Sequence, residues 1–467
     1  MKTQRIRFGI ILTIVASITA GCGSLATRRE FYKPIAEEVR KGNFASAVTR
    51  LEEAKANGKF DEKDRFLYFM DAGLLNHYAD SLDRSTAKLA LAEKTSEELY
   101  AKSVSRAALS LVLNDNVLEY SGEDYEVLYS NLFKALNYIA ADSFEAAFVE
   151  IRRANQKLEL LEQKYADEAN DLQQANDRDS SHVAIKYQAK SVRFNSDAFA
   201  RYLSMHVYAA DGKYDDAQID SDALAAAYVT QPNIYDFRPP DFEYRAQDDD
   251  KVVLSVVGMA GLAPVKEAVN FRIRTDKQLD LLTVLYTEPT GKETVFENLP
   301  MKIGEDFYFK FSIPTIVCHP SSVVRIKLLV DGRDAGDLEM MESIGTIAKE
   351  TFEAKKSLIY LKSIARAVVK GLAAHKAKSK ADTGGLGGWL KKAAIDVATD
   401  LSENADLRCV QYLPGMIYTR DLELAPGSYN LTIQFFDKAG ILLYEKNIPG
   451  YKVLTNGLNL VQAEYLN

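Results

Sequence analysis

The sequence predicts an α+β fold in which a row of helical hairpins precedes a β-rich portion. Two observations lead to this prediction. A short phrase occurs three times before residue 230, and each copy has the composition of a turn that enters a helix. Beyond residue 250, runs rich in β-branched, leucine and aromatic residues alternate with turn residues, a pattern typical of short strands. The repeat comes first because it decides the architecture around it.

The repeated phrase starts at positions 42, 142 and 212 as GNFASA, DSFEAA and GKYDDA. Its third residue is an aromatic, in turn Phe44, Phe144 and Tyr214. Three residues later stands an alanine, in turn Ala47, Ala147 and Ala217. We expect the aromatic to wedge between two antiparallel helices and the alanine to let their backbones approach. This pattern is typical of a tetratricopeptide (TPR) unit, whose period is roughly 34 residues.

Four such hairpins are predicted, over residues 28–56, 65–95, 126–175 and 196–228. Segments between them break the period, so we predict a degenerate TPR-like helical array across residues 22–235. Such an array offers its concave face as a binding groove; the alternative is a compact bundle that only supports the β portion. The polar residues predicted to line the groove are Asn131, Asn137, Arg152, Arg153 and Asn155. For the two arginines, an ion-paired or solvated helix face is the alternative.

Residues 1–21 predict a lipoprotein signal peptide. A basic start precedes an apolar run over residues 8–18, which is too short to cross a bilayer, since a spanning helix needs roughly 20 residues. The run ends at Thr19-Ala20-Gly21-Cys22, which resembles a bacterial lipobox. We therefore expect lipidation of Cys22 and, because Gly23 follows it, anchoring in the outer membrane at its periplasmic face. The alternative is an ordinary cleaved signal beside a chance cysteine.

Charge and residue types argue against several classes of function. The formal net charge is −8, and loss of Lys2, Arg5 and Arg7 with the signal takes it to −11. Nucleic-acid binding needs clustered Lys and Arg, so no nucleic acid is expected as a partner. The five histidines are scattered without the spacing of metal ligands, and no catalytic phrase occurs. We expect no cofactor, no metal and no enzymatic activity.

The second half is predicted as a Pro- and Asp-rich linker over residues 236–250 and a β-sandwich-like domain over residues 251–467. A basic helical insertion interrupts this domain at about residues 340–405; between 349 and 380, nine Lys and Arg stand against two Glu. The insertion is either a surface for anionic lipid or a partner, or a helix packed on the sandwich.

Two cysteines follow Cys22, namely Cys318 and Cys409, and both lie in the portion predicted to be β-rich. In an oxidising periplasm they would either form a disulfide or remain free thiols. Separation along the chain does not decide between these alternatives.

Three stretches carry a resemblance to known proteins. Residues 120–158 contain an Ala-Leu-Asn-Tyr segment followed by Ala-x-Val-Glu-x-Arg-Arg, and the other two stretches are KSIARAVVKG (362–371) and ADLRCVQYLPG (405–415). In these the chain resembles an uncharacterised family of bacterial envelope lipoproteins with TPR-like N-terminal helices. The resemblance implies an envelope lipoprotein and no particular activity.

These observations predict a lipid-anchored periplasmic scaffold or adaptor that binds an envelope protein partner through its helical array. The alternative is an accessory factor for cell-wall or surface-glycan machinery with a glycan-binding β domain. A deep aromatic-lined helical groove would favour the first function, and exposed aromatics on the β domain would favour the second. The oligomeric state is left open.

Cys22→Ser is expected to abolish lipidation, because the acyl chains would attach through the Cys22 thiol. Cells fed radiolabelled palmitate should label the wild-type chain and the control variant Cys318→Ser, but not Cys22→Ser. A wild-type chain that takes up no label would contradict the lipoprotein prediction.

Overall fold

The computed structural model describes residues 28–104, 118–178, 194, 196–288, 292–300, 306, 308–353, 355, 356, 359, 360, 363, 364 and 405–467. Helices occupy the first half of this region, and strands dominate the second. The predicted α+β class is confirmed.

In the described part of the first half, the helices follow one another as four hairpins. Their bounds are α1 Arg28–Arg40, α2 Phe44–Ala56, α3 Arg65–Tyr78, α4 Leu82–Val104, α5 Asp124–Ala140, α6 Phe144–Arg178, α7 Ala198–Ala210 and α8 Tyr214–Thr230, with a 3₁₀ turn at Glu62–Asp64 before α3. Each helix packs against its neighbour in sequence. The order of the predicted hairpins is therefore present, whereas a specifically TPR-like geometry is not confirmed.

All four hairpins close with the same turn. A residue in the left-handed region ends the first helix of each pair, namely Gly42, Asp80, Asp142 and Gly212, with φ between 53° and 73°. The next amide then donates to a carbonyl five residues back, as from Ser143 to Tyr138 at 2.8 Å. This is a Schellman ending, which glycine and aspartate tolerate. The repeated phrase is thus the hairpin turn, and its fourth copy has Leu82 in place of the aromatic.

Within the phrase, the burial of the alanine is more uniform than the burial of the aromatic. Ala47, Ala147 and Ala217 are fully buried at the helix contacts. Phe44 is buried beside Tyr78, with ring centroids 5.3 Å apart. Phe144 is only partly buried and Tyr214 is 43% exposed, so the predicted wedge is wrong for Tyr214. The aromatic opens its helix at the edge of the hairpin, and what covers it depends on the neighbouring segment.

The described strands form two sheets. Their bounds are β1 Val252–Leu262, β2 Val265–Asp276, β3 Leu281–Thr287, β4 Glu293–Pro300, β5 Tyr308–Val317, β6 Arg325–Val330, β7 Arg333–Ser343, β8 Pro414–Leu424, β9 Gly427–Phe436, β10 Leu442–Val453 and β11 Asn459–Tyr465. The larger sheet has the order β10-β9-β6-β7-β8-β1-β11 and the smaller one β4-β3-β2-β5. Among the described strands, only β1 and β11 pair in parallel.

The seven-stranded sheet curls until it is nearly closed like a barrel. Its two edge strands meet where Lys446 Nζ lies 3.3 Å from Glu464 Oε1 and Tyr444 stacks on Tyr465. Its interior is apolar, with Ile433 and Phe435 fully buried. The four-stranded sheet has an apolar cluster of its own, completed by Ile359, Tyr360 and Ile364. The predicted sandwich is not confirmed.

The helices and the larger sheet share one core. The main apolar cluster of the helices continues into β1, β8, the start of the insertion and the C-terminus, where Leu466 is fully buried. The predicted linker lies along the sheet as a strap, because the amides of Asp241, Glu243 and Gln247 donate to carboxylates of β7 and β8. Residues 236–250 therefore do not separate two independent cores.

The helical insertion begins at residue 344, directly after β7, so residues 340–343 are strand and not helix. Ile344 and Ile347 are buried in the shared core, and Lys355 Nζ lies 3.1 Å from Asp124 Oδ2 at the start of α5. In its described first part, the helical insertion therefore packs on the shared core and on α5. Most of its basic residues lie outside the described part of the chain. Among the helices that the structure describes, none is both long and apolar enough to cross a membrane.

Phe44→Ala is expected to cost about 3–5 kcal/mol of unfolding free energy, because it empties a buried site. Tyr214→Ala, the equivalent change at an exposed ring, should cost less than about 1 kcal/mol. Urea denaturation of the two variants measures this difference. Equal losses would contradict the different environments of these two copies.

Candidate functional site

Residues 405–413 form a buried segment without regular structure that lies against α3 and α5. The segment precedes β8, and six of its nine residues are buried: Ala405, Arg408, Cys409, Val410, Tyr412 and Leu413. Buried peptide groups need hydrogen-bond partners. Here several of those partners come from helix side chains, and we name residues 405–413 the clasp segment.

Two buried carboxylates bind the amides of the clasp segment. Asp71 on α3 accepts from the amide of Gln411 at 2.9 Å, and its second oxygen accepts from the Tyr32 hydroxyl at 2.9 Å. Glu126 on α5 accepts from the amide of Val410 at 2.7 Å. The other oxygen of Glu126 accepts from the Tyr120 hydroxyl and from the amide of Glu123. Each carboxylate is thus fully engaged.

Burial changes the ionisation of both groups. It raises the pKa of Asp71 to about 7, although hydrogen bonds from Gln411 and Tyr32 favour the charged form. Burial and the neighbouring Glu123 carboxylate raise the pKa of Glu126 to about 7, with Lys266 acting in the opposite direction. Both carboxyl groups therefore titrate close to neutral pH.

Arg408 anchors the other end of the clasp segment. Its guanidinium donates to the Leu118 carbonyl at 2.7 Å and to Asp406 Oδ2 at 2.7 Å, and it reaches Asp64 Oδ1 at 3.3 Å. It also lies over the Tyr120 ring, 5.1 Å from the centroid. The helical array does hold a peptide segment, and that segment belongs to its own chain.

The residues predicted to line a groove lie in two different places. Asn131 donates to Glu93 and Glu150, and Asn137 donates to Ser85 and accepts from His77. Both amides are buried between helices, so their assignment to an open groove is wrong. Periodicity alone did not show that these positions face a neighbouring helix. Asn155 is half-buried, and Arg152 and Arg153 lie exposed on α6.

A buried ionic network lies beneath the two arginines. Lys134 Nζ is 2.6 Å from both Glu93 and Glu150, and Arg153 Nη1 is 3.0 Å from Glu150. Burial would raise the pKa of Glu93, but Lys157 and Lys134 outweigh it and lower this pKa to about 2. Glu93 is therefore ionised at neutral pH, and the network joins α4, α5 and α6.

Sequence inspection missed a second polar cluster, formed by Ser255, His206, Asp421 and Tyr202. Ser255 Oγ lies 3.4 Å and 3.3 Å from the two ring nitrogens of His206, and His206 Nε2 lies 3.3 Å from Asp421 Oδ2. In a hydrolytic triad the serine and the acid use opposite nitrogens. Here Ser255 and Asp421 both lie near Nε2, and the side chains are buried, so the cluster does not have the arrangement of a triad. The cluster joins α7 to β1 and β8, and only the fold brings these distant positions together.

Cys318 and Cys409 are free thiols, so the alternative of a disulfide between them is not realised. Cys318 is exposed at the end of β5, whereas Cys409 is buried in the clasp segment. Burial and the Glu126 carboxylate raise the pKa of Cys409 to about 12, which keeps it protonated. Cys22 lies outside the described residues.

No group of three or more metal-ligating side chains is assembled within the described ranges. Comparisons with protein-family models, with curated proteins and with solved structures find no match to the chain.

The two clasp carboxylates predict a pH dependence of stability. Their folded pKa values of about 7 exceed the ordinary values of about 4, so the folded state binds more protons between these limits. The contribution of these two groups to the unfolding free energy should be fully present below about pH 4. It should be lost as pH rises towards 7, by up to about 1.4 kcal/mol per pH unit for each group.

Asp71→Asn and Glu126→Gln should each flatten this slope in denaturation series between about pH 5 and pH 7. Asp334→Asn is the control and should leave the slope unchanged. A hydrogen bond from Lys327 lowers the pKa of this exposed carboxyl, so it stays charged between pH 5 and pH 7. A slope that is unchanged in both clasp variants would contradict the assignment.

Proposed function

We propose that the chain is a lipid-anchored scaffold or adaptor on the periplasmic face of the outer membrane, which binds an envelope protein partner through a TPR-like helical array. It acts without catalysis or a cofactor. The observation that supports this proposal most directly is the solvent-exposed face of α6.

That face combines exposed aliphatic and basic side chains. Val149 is 48% exposed and Leu160 is 66% exposed, with Arg152, Arg153 and Gln156 exposed between them. Their spacing places all five on one side of the helix. Arginine beside apolar residues is typical of protein interfaces, where a few such side chains supply most of the binding energy. We name these five residues the α6 stripe.

Both arginines are held in position before any partner binds. The guanidinium of Arg152 lies over the Phe148 ring, 4.6 Å from its centroid, and Arg153 is bound by Glu150 and Glu93. Side chains that are already ordered lose less entropy on association. The charge of the stripe favours a partner surface that presents acidic residues beside apolar ones.

The clasp segment explains why the partner is assigned to the α6 stripe. The side chains on α3 and α5 that bind peptide amides are already occupied by residues 410 and 411. An external peptide would have to displace a segment that is part of the core, whereas the α6 stripe needs no such change.

The proposal is tested with a photo-crosslinking residue in place of Gln156 in intact cells. Arg152→Glu and Leu160→Ser together should reduce the crosslinked partner product at least about tenfold, since each change removes an interface contact of about 1–2 kcal/mol. The control pair Arg84→Glu and Val229→Ser alters an exposed charge on α4 and a 79% exposed aliphatic on α8. Equal product from both pairs would contradict a partner site on the α6 stripe.

A second candidate function is an accessory role in cell-wall or surface-glycan machinery, with a glycan-binding β domain. The observation in its favour is Tyr308 on β5, whose side chain is 52% exposed on the four-stranded sheet. Exposed aromatic rings on a sheet provide flat surfaces on which the apolar face of a sugar can pack.

A further inference from the structure

Two buried carboxylates meet at the first turn of α7. Asp197 caps this helix, because its Oδ1 accepts from the amide of Ala200 at 2.7 Å. Glu342, at the end of β7, accepts from the amide of Ala198 through Oε2 at 3.0 Å. Both acidic side chains are fully buried. Two carboxylates that are distant in the sequence thus share one helix N-terminus, and we name them the carboxylate latch.

Glu342 also holds two further parts of the chain. The hydroxyl of Tyr235, just before the strap, donates to Glu342 Oε2 at 2.8 Å, and the amide of Ser343 donates to Oε1 at 2.8 Å. Ser343 in turn caps the first turn of the helical insertion, since its Oγ accepts from the amide of Thr346 at 3.2 Å. One carboxylate therefore ties the start of α7, the residue before the strap and the start of the insertion together.

The elements around the latch supply hydroxyl groups and one arginine. Among the described residues, the groups that face it are Tyr129 on α5, Tyr228 on α8, Tyr235 and Arg201 on α7. The guanidinium of Arg201 forms its ion pair with Asp220, at 2.8 Å. Within the part of the chain that the structure describes, the latch therefore has hydroxyls around it and no bonded cation.

Carboxylates in such a site retain protons. Burial raises the pKa of Asp197 to about 6. Burial and the neighbouring Asp197 carboxylate raise the pKa of Glu342 well above its usual range. Three of the four carboxylate oxygens already accept hydrogens, whereas Asp197 Oδ2 has no partner in hydrogen-bonding geometry. That oxygen can therefore take up a proton without the loss of a bond.

We propose that the carboxylate latch is a pH-sensitive switch, which holds the first turns of the insertion (residues 344–353) against the helices while the pair carries a proton and releases them when both groups are ionised. Two negative charges in one buried site repel each other and lack the hydration they would have in water. Separation of the two groups relieves both costs, because water then reaches them. Release would expose Ile344 and Ile347, which lie in the shared core. The switch goes beyond the proposed adaptor function and does not involve the α6 stripe.

The end of β7 is the part expected to move. An irregularity between Met340 and Glu342 interrupts its pairing with β8, and the strand ends at Ser343. In contrast, α7 packs against both α6 and α8. The local weakness therefore lies on the Glu342 side of the latch.

The direction of the pH effect follows from the raised pKa values. The closed latch binds more protons than an open one, in which both carboxyl groups would have their ordinary pKa values of about 4. Opening therefore becomes easier as pH rises from about 4. The Asp197 contribution is lost by about pH 6, and the Glu342 contribution is lost at higher pH.

Hydrogen–deuterium exchange of the full chain, purified in detergent, tests the switch at pH 6, 7.5 and 9. Exchange rates are divided by the unfolded-chain rate at each pH, so that only protection is compared. The two peptides compared are residues 341–353 at the latch and residues 427–436 in β9. The variants are Glu342→Gln and Asp197→Asn. The control is Asp337→Asn, which alters an exposed carboxylate on the same strand as Glu342.

In the wild type and in the control, protection of residues 341–353 should fall at least about tenfold between pH 6 and pH 9, since each released proton changes the opening equilibrium by up to about tenfold per pH unit. Residues 427–436 should lose much less. Glu342→Gln should show no fall over this range, because the Asp197 contribution is already lost by about pH 6. Asp197→Asn keeps a capping oxygen and removes the like charge, so its fall should be smaller than in the wild type.

Three results would overturn the proposal. The first is constant protection of residues 341–353 in the wild type from pH 6 to pH 9. The second is a fall as steep as in the wild type in Asp197→Asn, or in Glu342→Gln where thermal melts show that this variant is folded. The third is an equal loss in residues 427–436, which would mean that the whole chain unfolds. The adaptor proposal for the α6 stripe would be unaffected by any of them.

Discussion

The architecture depends on two buried carboxylates that bind peptide amides. Asp71 and Glu126 accept the amides of residues 411 and 410, where the chain has no strand neighbour to pair with. An unpaired buried amide is costly, and so is a buried charge. The raised pKa values reduce the cost of the buried charge, because both carboxyl groups take up a proton more readily than they would in water. Through these bonds α3 and α5 hold the segment that leads directly into β8.

Carboxylates bind backbone amides at two other places in the described residues where irregular chain passes between helices and strands. The strap over residues 236–250 gives its amides to carboxylates of β7 and β8, and Glu342 at the end of β7 accepts the amide of Ala198 at the start of α7. His77 on α3 links helices and sheet as a neutral side chain, since burial lowers its pKa to about 4. It hydrogen-bonds Asn137 on α5 and Gln462 on β11. Helices and larger sheet are thus joined by polar bonds around one shared apolar core.

In the proposed adaptor, this construction leaves the outer surfaces for recognition. The side chains on α3 and α5 that bind peptide amides already hold the clasp segment, and the interior of the larger sheet is apolar. Among the described residues, the α6 stripe is one outer surface whose exposed aliphatic and basic side chains suit the proposed binding.

Local patterns in the sequence were sufficient for the helical hairpins, because a left-handed turn needs residues such as Gly42 or Asp142 and close helices need small residues such as Ala147. Strand-rich composition likewise predicted the β portion. The partners of Asn131, the exposure of Tyr214 and the position of the clasp segment did not follow from any local pattern. Each depends on which distant segment packs against that residue, and only the folded chain brings such segments together. For that reason the fold class was readable in advance, whereas the sites were not.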